Sequence, residues 1–407
     1  MKKKNITFLL TQDIESPSGI GRYFPLSKNL VKLGYSVNIA ATHPNFDQLK
    51  NFTFEEEGVS ISYVSQMHVR KDKNNTTYFS PIGLLVNSLK TTWELTRYVI
   101  KNRTNVVVIG KPHPMNSIAG LLGGRLSGAR IVLDCDDYEA ASNFFSSFWQ
   151  RWIVKLFENN MPKLVNHVTT NTYFNQNRMI ALGVPEEKID YVPNGVDLER
   201  FKSIDEVTSR EIWKRINNED NDIIAYVGSL NLVNHPVDLL LEAFSVIFQR
   251  YNNVKLMIIG GGKDLQELKN LARTLGVADH VVFEGRVDPS VVPNYFEFAN
   301  VSVDPVYDTP AAKGRCPLKI FESWAMGVPF VTSDVGDRQI LAGSPPAMLL
   351  SKPGDKNDLA EKILTVIRNP DLANELSVAG RKQGQKYSWR NLAKLYSLAL
   401  SESRDRA

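Results

Sequence analysis

Only two of the 407 residues are cysteine, Cys135 and Cys316, and they stand far apart with no partner at metal-ligand spacing. That scarcity excludes a disulfide framework and a thiolate zinc site, and it suits a reducing compartment. Long hydrophobic runs are also missing: no stretch approaches the roughly 20 apolar residues that a bilayer-spanning helix needs. The apolar stretch after Met1-Lys-Lys-Lys-Asn runs only from Ile6 to Thr11. It is too short for the core of a signal peptide and reads as a first strand, so a cytoplasmic location is expected. There is no low-complexity tract and no short repeat. Positive charge is thin as well, at a formal +4. Nucleic-acid binding would require a dense basic stripe, so no nucleic-acid partner is expected.

What charge there is lies unevenly. Up to Arg200 there are 23 Lys/Arg against 18 Asp/Glu, and beyond it 25 against 26. The first part is therefore the one suited to an anionic surface. A chain of this length exceeds what one hydrophobic core organises, so two domains are expected.

Short apolar runs alternate with longer amphipathic segments throughout. The first series is Ile6–Leu10, Val37–Ala41, Val106–Ile109, Ile131–Leu133, His167–Thr170 and Ile189–Val192. The second is Ile223–Val227, Val254–Ile259, Val281–Phe283, Val301–Val303 and Val328–Thr332. Buried parallel strands with crossover helices leave this signature, so the fold class is α/β, doubly wound, and present twice. The break is expected within 198–222, where Asn217-Asn-Glu-Asp-Asn-Asp222 has the polarity of a linker. The domains are thus taken as 1–205 and 206–389. From Asp358 onward the pattern is that of two or three amphipathic helices, with a boundary at Tyr387-Ser-Trp-Arg390.

Ligands of doubly wound sheets sit at the carboxyl ends of the strands, so residues just after each strand carry the chemistry. After the first come Gly19 and Gly21 in Ser16-Pro-Ser-Gly-Ile-Gly-Arg22, where a backbone can approach a ligand ahead of a helix. The third glycine and the acidic partner of a dinucleotide fingerprint are not in place. Two further strand ends carry Gly110-Lys-Pro-His-Pro114 and Asp134-Cys-Asp-Asp137. They offer Lys111, His113, Asp136 and Asp137, and the acidic run reads either as a solvated turn or as a metal cluster. In the second series Gly260-Gly-Gly262 and Gly285-Arg286-Val287 read as nucleotide-base contacts or as tight turns.

The densest chemistry lies at Lys313-Gly-Arg-Cys-Pro-Leu-Lys-Ile-Phe-Glu322. Pro317 is suited to the first position of a helix, whose free amides and dipole would meet an anion. Leu318, Phe321 and Ala325 share an apolar face, and Glu322 follows about one turn in.

In order and spacing, these pieces resemble the retaining GT-B glycosyltransferases called family 4. The resemblance rests on the Gly19–Gly21 loop, Val192-Pro-Asn-Gly-Val-Asp197, Tyr226-Val-Gly-Ser-Leu230, Met257-Ile-Ile-Gly-Gly-Gly262 and Pro317-Leu-Lys-Ile-Phe-Glu-Ser-Trp-Ala-Met-Gly-Val-Pro329. It implies two Rossmann-like domains facing across a cleft, with helix 390–407 crossing back to the first. A nucleotide-sugar donor would bind the second domain and a lipid or saccharide acceptor mainly the first. The resemblance implies transfer of a hexose from a UDP- or GDP-sugar with retention, in glycan or glycolipid biosynthesis, without a metal or any other cofactor.

Of the two glutamates that relatives carry eight positions apart, the second matches Glu322 and would hold the ribose. The first falls on Gly314 and is absent. Where relatives often have an arginine and a lysine on the diphosphate, this chain offers Ser229 and Asn234. Their cations are expected instead from Lys313, Arg315 and Lys319, beside Pro317 and Leu318 at the helix start, with Arg286 a further donor contact. Asp136 stands where relatives often have a histidine, and with His113 it is assigned the positioning of donor sugar or acceptor hydroxyl. The aromatic, basic segment Asn143–Phe157 reads as a helix packed on its own domain, or as a peripheral contact with the inner face of a membrane. Other classes remain: a sugar-nucleotide epimerase, a phosphorylase (for which no pyridoxal-binding lysine is assigned) and a GT-B-shaped binding protein or inactive paralogue.

Overall fold

The computed structural model describes residues 4–72, 75–143, 145, 147–216 and 221–401. It divides into two compact units. The first comprises Met1–Asn194, Gly314–Cys316 and Trp389–Ala407, the second Gly195–Lys313 and Pro317–Ser388.

The first unit holds β1 (Asn5–Leu9), β2 (Ser36–His43), β3 (Thr53–Glu56), β4 (Val59–Gln66), β5 (Val69–Asp72), β6 (Asn75–Tyr78), β7 (Val106–Gly110), β8 (Arg130–Cys135), β9 (His167–Thr170) and β10 (Ile189–Tyr191). Eight of them form one sheet in the order β10-β9-β8-β7-β1-β2-β4-β3, while β5 and β6 make a separate antiparallel ribbon. Every pairing in the large sheet is parallel except β3 with β4. The expected runs correspond to β1, β2, β7, β8, β9 and β10; the ribbon and the β3–β4 edge were not among them. Val59–Gln66 alternates serine with apolar residues, and serines 62 and 65 are buried, so it lacks the continuous apolar run of a central strand.

The second unit holds β11 (Asp222–Val227), β12 (Val254–Ile259), β13 (Val281–Gly285), β14 (Val301–Asp304), β15 (Phe330–Ser333) and β16 (Leu349–Ser351). They form one wholly parallel sheet in the order β13-β12-β11-β14-β15-β16. The strand expected at Val328–Thr332 begins later because Gly327 closes the preceding helix in a left-handed conformation and the Val328 amide bonds back to Ser323 O. The three-residue edge strand β16 was not expected.

The passage between units lies at Asn194/Gly195 and not at 205/206. The segment beyond it belongs to the second unit by its packing. Phe201 is buried with its ring 6.5 Å from Phe296. The helix Glu206–Ile216 buries Ile212 and Ile216 against Ile223, Ala225, Met257 and Ile259. Of the polar stretch read as a linker, residues 217–220 lie outside the described residues. The tail forms helices Lys356–Arg368, Pro370–Lys386 and Trp389–Leu400. The last buries Trp389, Leu392 and Tyr396 in the first unit, where Tyr396 stacks on Phe8 of β1. Residues 402–407 lie outside the described residues.

Strand order reverses once in each sheet, between β1 and β7 and between β11 and β14. Two neighbouring loops then diverge and leave a crevice at the strands' carboxyl ends. In the second unit the loops after β11 and β12 are pressed together there. Gly260 has φ +146°, and a Cβ on it would lie 1.8 Å from Gly228 O. Gly260→Ala should therefore cost at least about 2 kcal/mol in urea unfolding, since both strain and a backbone clash oppose it. Gly34→Ala, at φ +96° with open space around it, should cost less.

Candidate functional site

In the first unit the switch-point loops carry a buried polar network. Arg22 lies on the helical turn Gly19–Tyr23 and is enclosed. It makes a two-pronged pair with Asp134 at the end of β8, Nε–Oδ2 and Nη2–Oδ1 both 2.7 Å. Its Nη1 donates to Val192 O at 3.2 Å and to Asn194 Oδ1 at 3.0 Å. Burial opposes the charge, yet Asp134 more than offsets it and holds the guanidinium above its ordinary pKa. Gly19 is obligatory here, because a Cβ would meet Ile14 O at 2.2 Å. Gly21 is buried in the same turn. Gly19 thus serves the turn that places Arg22.

Beside this pair stands Lys111, the residue after β7, with φ +69°. Its Nζ lies 3.2 Å from Asp136, 2.7 Å from Asp137 and 2.9 Å from Glu139. Each of these three carboxylates can bring one oxygen within 4.8 Å of the others, the spacing of a divalent-cation site. The Lys111 ammonium already supplies positive charge among them, which opposes a second cation in the same place. Burial works against the Lys111 charge, but the three carboxylates raise its pKa well above the ordinary value.

His113 bridges outward from this cluster. Its Nε2 is 3.1 Å from Glu139 Oε2 and its Nδ1 2.8 Å from the Thr11 hydroxyl. Glu139 is buried, which alone would favour its neutral form, yet Lys111 and His113 hold its pKa well below the carboxylate range. An ionised Glu139 can only accept, so in the neutral ring Nε2 carries the proton and Nδ1 accepts from Thr11. Asp136 behaves oppositely. It is buried and shares Lys111 with two other carboxylates, and burial pushes its pKa up to about 8 despite the ammonium. Glu139 has a partner on each oxygen, Lys111 on one and His113 on the other, so the cluster's extra proton rests on Asp136.

Asn175 was not singled out by sequence, and Asn194 was noted only within the motif Val192-Pro-Asn-Gly-Val-Asp197. Asn175 Nδ2 donates to Gly314 O at 2.9 Å and Asn194 Nδ2 to Cys316 O at 2.7 Å, which pins the tripeptide Gly314–Cys316 in the first unit. Arg315 therefore belongs to that unit, whereas Lys313 and Lys319 belong to the second. Gly314 falls where the resemblance implied a glutamate, and a Cβ there would lie 2.8 Å from Tyr138 Cβ. The glycine is a steric requirement of this chain.

In the second unit the switch point holds a second buried ammonium. Lys319, on the helix Leu318–Met326, puts its Nζ 2.7 Å from Asp304 Oδ1 at the end of β14. The same Nζ sits over the Tyr226 ring, 4.2 Å from its centre, and a Cβ on Gly228 would come within 3.0 Å of it. The enclosed Arg338, which sequence reasoning missed, reaches the other oxygen of Asp304 at 3.4 Å and donates to Thr332 Oγ1 at 3.1 Å. Only the fold brings it there, 34 residues along the chain from its carboxylate.

The remaining expected residues are placed as follows. Pro317 precedes the helix as its cap residue instead of being its first helical position, which Leu318 takes. Glu322 pairs with Arg200 at 2.5 Å, a partner that sequence did not indicate. Lys313 is half-exposed and bonded to Asp308 at 2.9 Å. Ser229 is exposed on the loop after β11, and its carbonyl accepts from Tyr226 OH at 3.0 Å. The Asn234 amide bonds to Asn231 O in the same loop. Arg286 is exposed after β13, with its Cβ beside Gly261. Thus Lys319, Leu318, Gly228 and Ser229 come together, while Lys313 and Arg286 are turned to the surface.

Two parallel-sheet units with polar clusters at their switch points are the architecture of the GT-B class, and the family comparisons agree. Residues 18–200 match the model described as Glycosyltransferase Family 4, and residues 221–369 match Glycosyl transferases group 1. The chain belongs among the GT-B glycosyltransferases.

Among individual proteins, it is 28% identical over 235 residues to a GDP-mannose-dependent alpha-(1-6)-phosphatidylinositol monomannoside mannosyltransferase of Mycobacterium tuberculosis. That match takes in 56% of this chain and 59% of the relative's own length. A protein of the same description from Mycolicibacterium smegmatis is 24% identical over 334 residues, 80% of this chain and 84% of the relative. Sucrose-phosphate synthase (tll1590) from Thermosynechococcus elongatus shares the fold with a TM-score of 0.74 at 18% identity, over 97% of this chain and 98% of that one.

The raised Asp136 pKa fixes a pH dependence. The folded protein holds this proton more tightly than the unfolded chain, so stability should fall as pH rises from the ordinary carboxylate range to about 8. Urea unfolding across that range should show the slope, and Asp136→Asn should flatten it. In infrared difference spectra a protonated-carboxyl band should be present below neutrality, fade through about pH 8, and be missing in the variant.

Proposed function

We propose that the protein transfers a hexose from a nucleoside-diphosphate sugar, a GDP- or UDP-sugar, to a lipid or saccharide acceptor in glycan biosynthesis. Transfer proceeds with retention of configuration and without a metal ion. One observation supports this reading most: the Lys319 ammonium, fixed between Asp304 and the Tyr226 ring, stands at the opening of the helix Leu318–Met326 and beside Gly228.

Breaking the bond between sugar and diphosphate develops negative charge on the leaving group. A preorganised cation and oriented helix amides stabilise that charge without reorganising. Lys319 and the first amides of the helix take the diphosphate, assisted by Ser229 and Asn234 on the loop after β11. Glu322 accepts from the ribose hydroxyls with the lone pairs that Arg200 leaves. In the first unit a protonated Asp136 donates to a sugar or acceptor oxygen, and His113 is held by Glu139 and Thr11 to orient a hydroxyl. No protein nucleophile is assigned; the leaving phosphate takes the acceptor's proton. The names of the mycobacterial relatives make GDP-mannose the first donor to test.

A thermal-shift series with GDP-mannose, UDP-glucose and ADP-glucose tests this reading. Ligand at 100 times its Kd stabilises by about 2.7 kcal/mol, so one donor should raise the Tm clearly. No shift with any nucleotide sugar would sink the proposal. Lys319→Ala should lower kcat by on the order of 10²–10³, the usual cost of removing one preorganised partner of a developing anion. A binding protein without turnover is the second reading, favoured by the glycine at 314. Donor binding with no hydrolysis or transfer, even over long incubation, would select it.

A further inference from the structure

The first unit carries an apolar surface that the donor chemistry does not use. Three neighbouring helices cover one face of its sheet: Pro81–Lys101, Pro114–Ser127 and Phe148–Leu164. Their inner sides pack on the sheet through residues such as Leu95, Val99, Ala119 and Met161. Their outer sides are not polar. On the first helix Ile82, Val86, Leu89, Trp93 and Ile100 recur every three, four or seven residues and are all exposed, Ile82 at 78% and Trp93 at 66%. The second helix adds Ile118, Leu122 and Leu126, the last 72% exposed. The third adds Phe148 at 89%, Trp152 at 61%, and Leu156. Soluble monomers rarely present a contiguous apolar patch on this scale.

Charge on the same helices has one sign. Seven cations are exposed there: Lys90, Arg97, Lys101, Arg125, Arg151, Lys155 and Lys163. Only two acids occur on the three helices, Glu94 and Glu158. Glu158 is buried against Arg178 at 3.2 Å, and Glu94 is partly covered. A second copy of this face would bring like charges together with no exposed carboxylate to answer them. A surface of phosphate headgroups over hydrocarbon answers both the cations and the apolar stripes, and tryptophans favour that boundary. No helix among the described residues is long and apolar enough to cross a membrane, so the contact is one of lying on the surface. The segment around 143–157, read from sequence mainly as packed on its own domain, thus turns Phe148 and Trp152 outward; residues 144 and 146 lie outside the described residues.

We infer that this three-helix face docks the protein on an anionic lipid bilayer. The stripes insert at headgroup depth and the seven cations meet lipid phosphates. The inference does not depend on which donor is used, because none of these residues belongs to the donor cluster.

The test is vesicle flotation of the full chain with two lipid compositions, phosphatidylcholine alone and phosphatidylcholine mixed equally with phosphatidylglycerol. The protein should float with the anionic vesicles, bind the neutral ones far more weakly, and be released by added salt. Trp93→Ser with Trp152→Ser should abolish flotation. Arg97→Gln with Lys155→Gln should weaken it by roughly tenfold or more, the effect of removing two surface-facing cations. These positions are exposed, so circular dichroism melts should match the parent, and the thermal shift with a nucleotide sugar should be unchanged. Equal binding to both vesicle types, no binding to either, or variants that float like the parent would overturn the inference. A concentration-dependent dimer that the same substitutions dissolve would also overturn it, because the face would then belong to a second copy.

Discussion

A buried ammonium is tolerated only where carboxylates and lone pairs surround it, and each unit of this protein is organised around one. Lys111 lies among Asp136, Asp137 and Glu139; Lys319 lies between Asp304 and the Tyr226 ring. Taking such charges out of water costs several kcal/mol per ion, which good geometry must return. The rest of each site follows from that demand. Arg338 takes the second oxygen of Asp304, so that the carboxylate is held from both sides. Glu139 is fixed by His113 as well as by Lys111, which leaves the cluster's proton to Asp136. Both clusters sit where strand order reverses, the position at which a doubly wound sheet leaves room for a ligand.

Much of the fold was legible because buried parallel strands write themselves as apolar runs. β7, β8, β11 and β12 are such runs with little else in them. The runs also gave the repetition of the series, and with it two domains. What escaped lacks that signal: β4 hides serines on its buried face, and β16 is three residues at an edge. The position of the unit boundary escaped for another reason. Residues 195–205 read as the tail of the first series, yet Phe201 beside Phe296 and Arg200 paired with Glu322 tie them to the second unit.

The site was legible at the level of strand ends and not of pairs. Lys111, His113, Asp136, Lys319 and Glu322 are marked by residue type and by following a strand or opening a helix. Their partners come from distant parts of the chain: Asp304 for Lys319, Arg200 for Glu322, Thr11 for His113. No local pattern announces such partners. The cations at 313–319 differ in setting: Lys313 answers Asp308 at the surface, Arg315 belongs to the first unit and Lys319 is buried on Asp304. Gly314, which reads as a missing carboxylate, is explained by Tyr138 standing where a side chain would go.

In the proposed reaction Lys319, a cation fixed by the fold, does for the leaving diphosphate what a divalent ion would otherwise do. Calorimetric titration of GDP and UDP into chelator-treated protein, repeated with excess magnesium, tests it most directly. One nucleotide should bind with the same affinity in both conditions, and the binding heat should be lost in Lys319→Met. Binding that appears only with magnesium, or that survives the substitution unchanged, would contradict it.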